Sequence, residues 1–83
     1  MQITLKLYAQ LTDFLPAGAT QNKVDLDVPE GTTIAGLLQS LNLPSKLVHL
    51  VLVNGLFVPA DARSRQALRT GDALAVWPPV AGG

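Results

Sequence analysis

The sequence predicts an α+β domain, in which one main helix packs on a mixed, mostly antiparallel sheet of four to five strands. Three patterns support this prediction. Apolar and polar residues alternate near both ends of the chain, which is typical of strands with one buried face. One stretch between them has the spacing of an amphipathic helix, and an Asn-Gly pair is typical of a two-residue hairpin.

The first two strands are predicted to form a hairpin at the amino end. The alternating apolar residues of the first strand are Ile3, Leu5 and Leu7. A short helical turn is expected at 11–15, and the polar segment 16–23 is predicted to be the hairpin loop. The second strand alternates over 24–28 and is expected to end at Pro29, because proline has no N–H to donate to a ladder.

The helix follows this hairpin. Segment 29–33 supplies a turn and a candidate N-cap. The helical spacing then involves four apolar residues, which are Ile34, Leu37, Leu38 and Leu41. The helix is expected to stop before Pro44, because the residue that precedes a proline avoids helical dihedral angles.

The second half of the sheet follows the helix. The apolar run at 50–53 predicts a central strand, and Asn54-Gly55 predicts a type I′ turn, which needs positive φ at both positions. Segment 56–58 is the predicted return strand. After a loop with a helical turn at 61–68, the last strand alternates at Leu74 and Val76. This order of elements fits a β-grasp roll over residues 1–77, followed by an extended tail over residues 78–83.

The composition excludes several classes of function. Of the 83 residues, 48% are hydrophobic and 14% are charged, which favours a folded core over disorder. Six basic residues balance six acidic ones, so nucleic acid is not expected as a partner. No apolar stretch is long enough to span a membrane and the start is unlike a signal peptide, so we expect a cytoplasmic protein without a membrane partner.

Few residues offer chemistry of their own. The chain has no cysteine, so no side chain can carry a persulfide, and its single histidine, His49, has no second ligand nearby in sequence. We therefore expect neither a metal site nor a bound cofactor. Without a glycine-rich loop to hold phosphates, the chain is not expected to bind ATP by itself. The locally basic segment with Asp61, Arg63, Arg65 and Arg69 is interpreted as a solvated loop, and docking of an acidic partner or steering of the tail is the alternative.

The last six residues are the strongest functional candidate. Pro78 and Pro79 stiffen the base of the tail, whereas Gly82 and Gly83 leave its tip without side chains. Six residues at about 3.3 Å each reach roughly 20 Å, so the tail can enter a narrow tunnel in another protein. The Gly83 carboxylate is then the reactive group, once a partner has activated it as an acyl-adenylate. Capture of that adenylate by sulfide gives a thiocarboxylate, and capture by a lysine gives an isopeptide bond.

The carboxyl end resembles a known family. Segment 72–83, with its Pro-Pro-Val-Ala-Gly-Gly ending, is similar to the end of the MoaD branch of the MoaD/ThiS family of ubiquitin-like sulfur carriers. Segment 7–11, Leu-Tyr-Ala-Gln-Leu, resembles the opening strand of that branch. The resemblance implies a β-grasp fold and the role of small subunit of molybdopterin synthase, which donates sulfur for the dithiolene of molybdopterin and is not an enzyme alone.

The resemblance also implies the partners. An E1-like adenylyltransferase uses ATP to adenylate Gly83, a sulfurtransferase system supplies the sulfur, and the molybdopterin synthase large subunit accepts the tail. The residues then expected to contact partners, besides Gly82 at the reactive end, are Tyr8, Phe57, Trp77, Pro78, Pro79, Val80 and Ala81. Strand alternation separately predicts that Tyr8 and Trp77 lie on the sheet face away from the helix, where Phe57 can join them.

Three alternatives stay open at this point. A ThiS-type carrier for thiamine thiazole synthesis shares the fold and the Gly-Gly ending, although such carriers usually lack the Pro-Pro pair. A ubiquitin-like modifier would conjugate the same terminal carboxylate to lysines. A plain β-grasp interaction module would leave the tail without chemical use.

Overall fold

The computed structural model describes residues 1–79 and confirms the predicted α+β fold class. The strands are β1 (Gln2–Leu7), β2 (Lys23–Asp27), β3 (Leu50–Val53), β4 (Leu56–Phe57) and β5 (Ala73–Trp77). The main helix is α1 (Ile34–Ser40), and three 3-10 helices lie at Ala9–Phe14, Ser45–Leu47 and Ala60–Ala62. None of the helices within residues 1–79 has the length and hydropathy that a membrane span requires.

The five strands form one mixed sheet in the order β2-β1-β5-β3-β4. β1 and β5 are parallel neighbours in its centre, and the other three neighbouring pairs are antiparallel. In the central pair, Leu5 lies opposite Leu74 and Leu7 lies opposite Val76. The opening strand and the strand that precedes the tail therefore lie side by side.

The core lies between the sheet and α1 and is entirely aliphatic. Among its members, Leu5, Leu74 and Val76 have no exposed surface. The helix contributes three buried residues, Ile34, Leu37 and Leu38. Each such side chain stabilises the fold by about 1.5–3 kcal/mol through removal of apolar surface from water. No polar or charged residue in the described part of the chain is buried, so packing alone holds the two layers together.

The helix begins where the sequence predicts. The Thr33 Oγ1 accepts a hydrogen bond from the Gly36 N–H at 3.0 Å, which makes Thr33 the N-cap. The helix ends at Ser40, so Leu41 is the C-cap and not part of the last turn. Asn42 follows with a φ of 62°, and this left-handed backbone ends the helix well before Pro44.

Three details of the sheet differ from the prediction. The strand at 50–53 lies next to the edge, because β5 takes the central position between β1 and β3. The return strand has only two residues, Leu56 and Phe57, although the Val58 N–H still donates to the Val51 carbonyl at 2.9 Å in the same register. The second strand ends at Asp27, one residue before the Val28 N–H, which donates in the same register to the Met1 carbonyl at 2.8 Å. The Asn54-Gly55 turn is confirmed, with φ angles of 52° and 82°.

Candidate functional site

One face of the sheet packs on α1, and the other face carries a group of large apolar side chains. We call this second surface the open face, and its members are Tyr8, Leu50, Leu52, Phe57 and Trp77. Strand register places them together: Leu50 lies opposite Trp77, and Leu52 lies opposite Phe57. The residues that alternate with them, Leu7, Val51 and Val76, are fully buried on the helix side. These five residues make an apolar part of that side of the sheet, which β1 and β2 continue with polar residues such as Thr4, Lys6 and Asp25.

Tyr8 and Trp77 form the centre of the open face. Their ring centroids are 4.2 Å apart and their planes differ by 7°, which is a stacked pair. The two residues meet because they follow directly on the paired positions Leu7 and Val76 of β1 and β5. The prediction that Tyr8 and Trp77 share a face is confirmed, whereas their role in binding a partner stays a prediction.

The backbone at the end of β5 is held from both sides. The Tyr8 N–H donates to the Val76 carbonyl at 3.1 Å, and the His49 N–H donates to the Trp77 carbonyl at 2.9 Å. Pro78 follows as a buried residue, and Pro79 is exposed. We call the segment 77–79 the tail base. Because neighbours on both sides bond to β5 up to its last residue, the direction in which the chain leaves the sheet is set by the fold.

The backbone after Tyr8 carries strain. Ala9 has a φ of 53°, a left-handed conformation that costs a residue with a Cβ about 1–2 kcal/mol. The turn sends the chain away from the sheet into the 3-10 helix Ala9–Phe14, whose Leu11 is fully buried. Tyr8 is thus the last residue of this segment on the open face, beside Trp77.

Phe57 lies at the far end of the open face, and its side chain is 61% exposed. Its position depends on the turn that precedes it. The Asn54 side chain accepts a hydrogen bond from the Ala73 N–H and donates one to the Asp72 carboxylate, both at 2.9 Å. These two bonds attach the β3–β4 turn to the start of β5. Phe57 is therefore held at a fixed place relative to Trp77, although solvent surrounds its ring.

Sequence reasoning missed two members of the open face. The run 50–53 was read as a continuous apolar strand, but Leu50 and Leu52 belong to the open face while Val51 and Val53 are buried. Alternation within the run is the signal that separates them, and it is hidden because all four residues are aliphatic. Burial of Pro78 was likewise not expected. Four predicted site residues, Val80, Ala81, Gly82 and Gly83, lie outside the described residues.

The described residues offer no metal site. No group of three or more histidine or acidic residues within residues 1–79 is arranged to hold a metal ion. His49 is exposed, and its contribution to the site is the backbone N–H at the tail base. The described part of the site presents apolar and aromatic side chains next to the start of the tail.

Comparison with known families agrees with this site. The fold and the tail define a small β-grasp protein with a glycine-terminated extension, and the ThiS family model matches residues 5–83. This chain belongs to the ThiS family, a family of ubiquitin-like sulfur carriers. The comparison with curated proteins found no match.

Solved structures similar to this chain include two from Haloferax volcanii. The HVO 2177 protein is 30% identical, with 100% of this chain and 87% of that chain covered and a TM-score of 0.76. SAMP1, a small archaeal modifier protein, is 29% identical, with 100% of both chains covered and a TM-score of 0.69. The complex of subunits 1 and 2 of molybdopterin-converting factor from Helicobacter pylori has 16% identity, 100% coverage of both chains and a TM-score of 0.60, which shows the fold alone.

Proposed function

We propose that this chain is a sulfur carrier whose Gly83 carboxylate is converted to a thiocarboxylate, and that it serves as the small subunit of molybdopterin synthase. One observation carries the proposal: the tail base leaves the centre of the sheet directly beside the Tyr8–Trp77 stack. A partner that covers the open face is therefore in position to receive the tail.

The open face is suited to a protein partner. Aromatic side chains carry much of the binding energy of interfaces, because they bury a large area at a small cost in conformational entropy. Tyr8 and Trp77 are already stacked, so neither ring has to be ordered on binding. Phe57 extends the same face and is more than half exposed in the free chain, so a partner can bury it.

The chemistry takes place at the terminal carboxylate. A carboxylate oxygen of Gly83 attacks the α-phosphate of ATP on an E1-like partner, which gives the acyl-adenylate and releases pyrophosphate. A sulfide equivalent from a sulfurtransferase system then attacks the acyl carbon, and AMP leaves with the bonding electron pair. The product is a thiocarboxylate, whose sulfur is a nucleophile at neutral pH. The chain thus contributes a reactive group, and the partners contribute the catalytic residues and bind the ATP.

The large subunit of the synthase is the proposed acceptor. The Helicobacter pylori structure is a complex of subunits 1 and 2 of molybdopterin-converting factor, so a chain in that assembly has this fold. In our proposal the tail enters the large subunit while the open face binds its surface. The thiocarboxylate sulfur then attacks a carbon of the pterin precursor and displaces an oxygen substituent, which gives an acyl thioester. Water cleaves the acyl–sulfur bond, so the sulfur stays on the pterin and the Gly83 carboxylate is regenerated.

The first experiment is an intact-mass measurement. The full chain is incubated with an E1-like enzyme, ATP and sulfide, beside one variant that lacks Gly83 and one with a single alanine added after Gly83. We expect the mass change of one oxygen replaced by sulfur in the full chain only. The variant that lacks Gly83 presents its carboxylate one residue short of the reacting position, and the terminal Cβ of the alanine variant blocks closure around the carboxylate. An unmodified full chain, or equal modification of the alanine variant, would contradict the proposal.

A second measurement separates the sulfur-carrier pathways. The thiocarboxylated chain is mixed with a molybdopterin synthase large subunit and its pterin precursor, and in parallel with a thiazole synthase and its substrates. Formation of the dithiolene in the first mixture alone supports the molybdopterin role. Formation of the thiazole alone would assign the chain to the thiamine branch and leave its chemistry as a sulfur carrier intact.

A second candidate function is protein modification. It is favoured by the 29% identity with SAMP1 over the full length of both chains. Modification uses the same acyl-adenylate, but a lysine amine attacks the acyl carbon and AMP leaves, so an isopeptide bond forms. The test is mass spectrometry of proteins recovered with the tagged chain from cells. Trypsin cuts last after Arg69, so a conjugated lysine keeps residues 70–83 of this chain. Such remnants on lysines, if they survive thiol reduction and disappear when Gly82 and Gly83 are deleted, would establish this function.

A further inference from the structure

A groove lies apart from the open face, between α1 and the two 3-10 helices Ser45–Leu47 and Ala60–Ala62. Its volume is about 320 Å³, which is at the low end for sites that bind small groups. The apolar part of its lining consists of Ala35, Leu38, Leu43, Val48 and Ala60. None of the lining residues belongs to the open face, so a molecule in the groove and a partner on the open face contact different residues.

One charged side chain, Arg63, lines this groove. Arg63 is half-buried, whereas Arg65 and Arg69 in the same segment are exposed. The Arg63 Nη2 group donates to the His49 carbonyl at 3.1 Å, and Nε donates more weakly to the Val58 carbonyl at 3.4 Å. Burial also lowers the pKa of Arg63 below its ordinary value.

The Arg63 guanidinium has capacity for a further ligand. A guanidinium has five N–H donors, and residues 1–79 accept hydrogen bonds from two of its nitrogens. No carboxylate in the described part of the chain lies within ion-pair distance of Arg63. In contrast, the exposed Arg65 has Asp61 at 3.9 Å. A partly buried cation beside apolar side chains is complementary to a carboxylate attached to an aliphatic group.

We propose that this groove is a second docking site, which binds a segment of a partner protein that presents a carboxylate next to an aliphatic side chain. The carboxylate binds Arg63, and the aliphatic group packs on Leu38 and Val48. The site does not depend on the tail chemistry, and it can be occupied while the open face is covered. Arg63 also links the groove to the tail base, because His49 bonds to Arg63 through its carbonyl and to Trp77 through its N–H.

The test is a titration of the isotope-labelled full chain, followed by amide chemical shifts. The probe is the peptide acetyl-Leu-Glu-Leu-amide, and its neutral match is acetyl-Leu-Gln-Leu-amide. We expect the acidic peptide to bind with a dissociation constant on the order of 1 mM and to shift the amides of Ala35, Val48 and Ser64. The amide of Ala75, under the open face, should not move. Equal binding of both peptides, or shifts confined to the open face, would overturn the proposal.

Two matched variants test whether the acidic peptide binds the charge of Arg63 or that of a neighbouring arginine. Arg63→Gln should weaken binding of the acidic peptide about tenfold or more, whereas Arg65→Gln, the same change two residues away, should leave it unchanged. Arg63→Gln also removes two hydrogen bonds of the fold, so it can weaken binding by disturbing the groove. Ser64→Glu is therefore tested as a second variant. It keeps Arg63 and places a carboxylate at an exposed position of the groove, so it should also weaken binding. Loss of binding in Arg65→Gln, or full binding in Ser64→Glu, would contradict the assigned site.

Two other occupants are outcomes of the same titration. A chain that ends at Pro79 tests whether the protein's own tail occupies the groove. Shifts of Ala35 and Ser64 on truncation alone, with tighter peptide binding, would assign the groove to the tail and overturn the docking proposal. The free acid 4-methylpentanoate tests for a small ligand. If it binds as tightly as the acidic peptide, the site selects a small carboxylate and not a protein segment.

Discussion

The two faces of the sheet use the same strands for different purposes. On the helix side the residues are aliphatic and buried, and Leu5, Leu74 and Val76 expose nothing. On the open face two aromatic rings are stacked, and Phe57 is 61% exposed. Because strand residues alternate, each face can change while the other keeps its sequence. The helix side therefore supplies stability, and the open face is free to serve partner binding.

This division explains why the apolar content is high for so small a domain. A chain of 83 residues with 48% hydrophobic composition has more apolar side chains than one core between a seven-residue helix and a sheet can bury. Part of this surplus lies on the open face next to the tail base, whereas Leu56, which is 74% exposed, lies outside that face. A contiguous apolar surface of this kind is typical of an interaction site.

The largest effect is expected from a change on the helix side. Leu74→Ala removes a fully buried side chain from a central strand and should lower the free energy of unfolding by about 2–5 kcal/mol. Chemical denaturation followed by circular dichroism measures this loss. The affinity of the remaining folded protein for a synthase large subunit should not change. A comparable loss of affinity would mean that the two faces are not separable.

A smaller effect, mainly on binding and less on stability, is expected at the centre of the open face. Trp77→Ala or Tyr8→Ala should weaken binding to the large subunit by about 2 kcal/mol, roughly 30-fold, because the stacked anchor is lost. Calorimetry measures the affinity, and the free energy of unfolding should fall by less. Tyr8→Phe keeps the ring and is the matched control. Unchanged affinity in both alanine variants would show that the large subunit does not bind through the open face.

The smallest effect is expected at the edge of the open face. Phe57→Ala should weaken binding by about 1 kcal/mol, since the ring lies away from the stacked pair, where interface contacts contribute less. The free energy of unfolding should stay within about 0.5 kcal/mol of the unchanged protein, because the side chain is exposed. A loss of stability larger than the loss of affinity would show that Phe57 serves the fold and not a partner.

Much of the fold could be predicted because its signals are local. The alternation over Ile3, Leu5 and Leu7, the Thr33 region as a helix start and the Asn54-Gly55 turn each depend on a few consecutive residues. The ThiS family match and the Gly-Gly ending likewise depend on sequence alone. The shared face of Tyr8 and Trp77 followed from alternation in two separate strands.

Other features required contacts between distant segments. Leu50 and Leu52 could be assigned to the open face only after β3 was placed beside β5 with Leu50 opposite Trp77. The hydrogen bonds of Arg63 to the carbonyls of His49 and Val58 exist only because the fold places these carbonyls next to it. No spacing of residues in the sequence indicates either the Leu50–Trp77 pairing or the Arg63 hydrogen bonds. The residues that meet belong to different turns and strands.

The sequence by itself determined where the main strands, the helix and the Asn54-Gly55 turn lie, and that residues 78–83 combine a Pro-Pro pair with a Gly-Gly pair. The spacing of apolar residues along a strand or helix, and the dihedral angles of a turn, are properties of neighbouring residues. No contact with a distant segment is needed to set them. Only the tertiary structure decided that β1 and β5 are parallel neighbours, which stacks Tyr8 on Trp77 and places the tail base in the middle of the sheet. The choice among possible strand neighbours depends on how the whole chain buries its aliphatic residues, and that is a property of the complete fold.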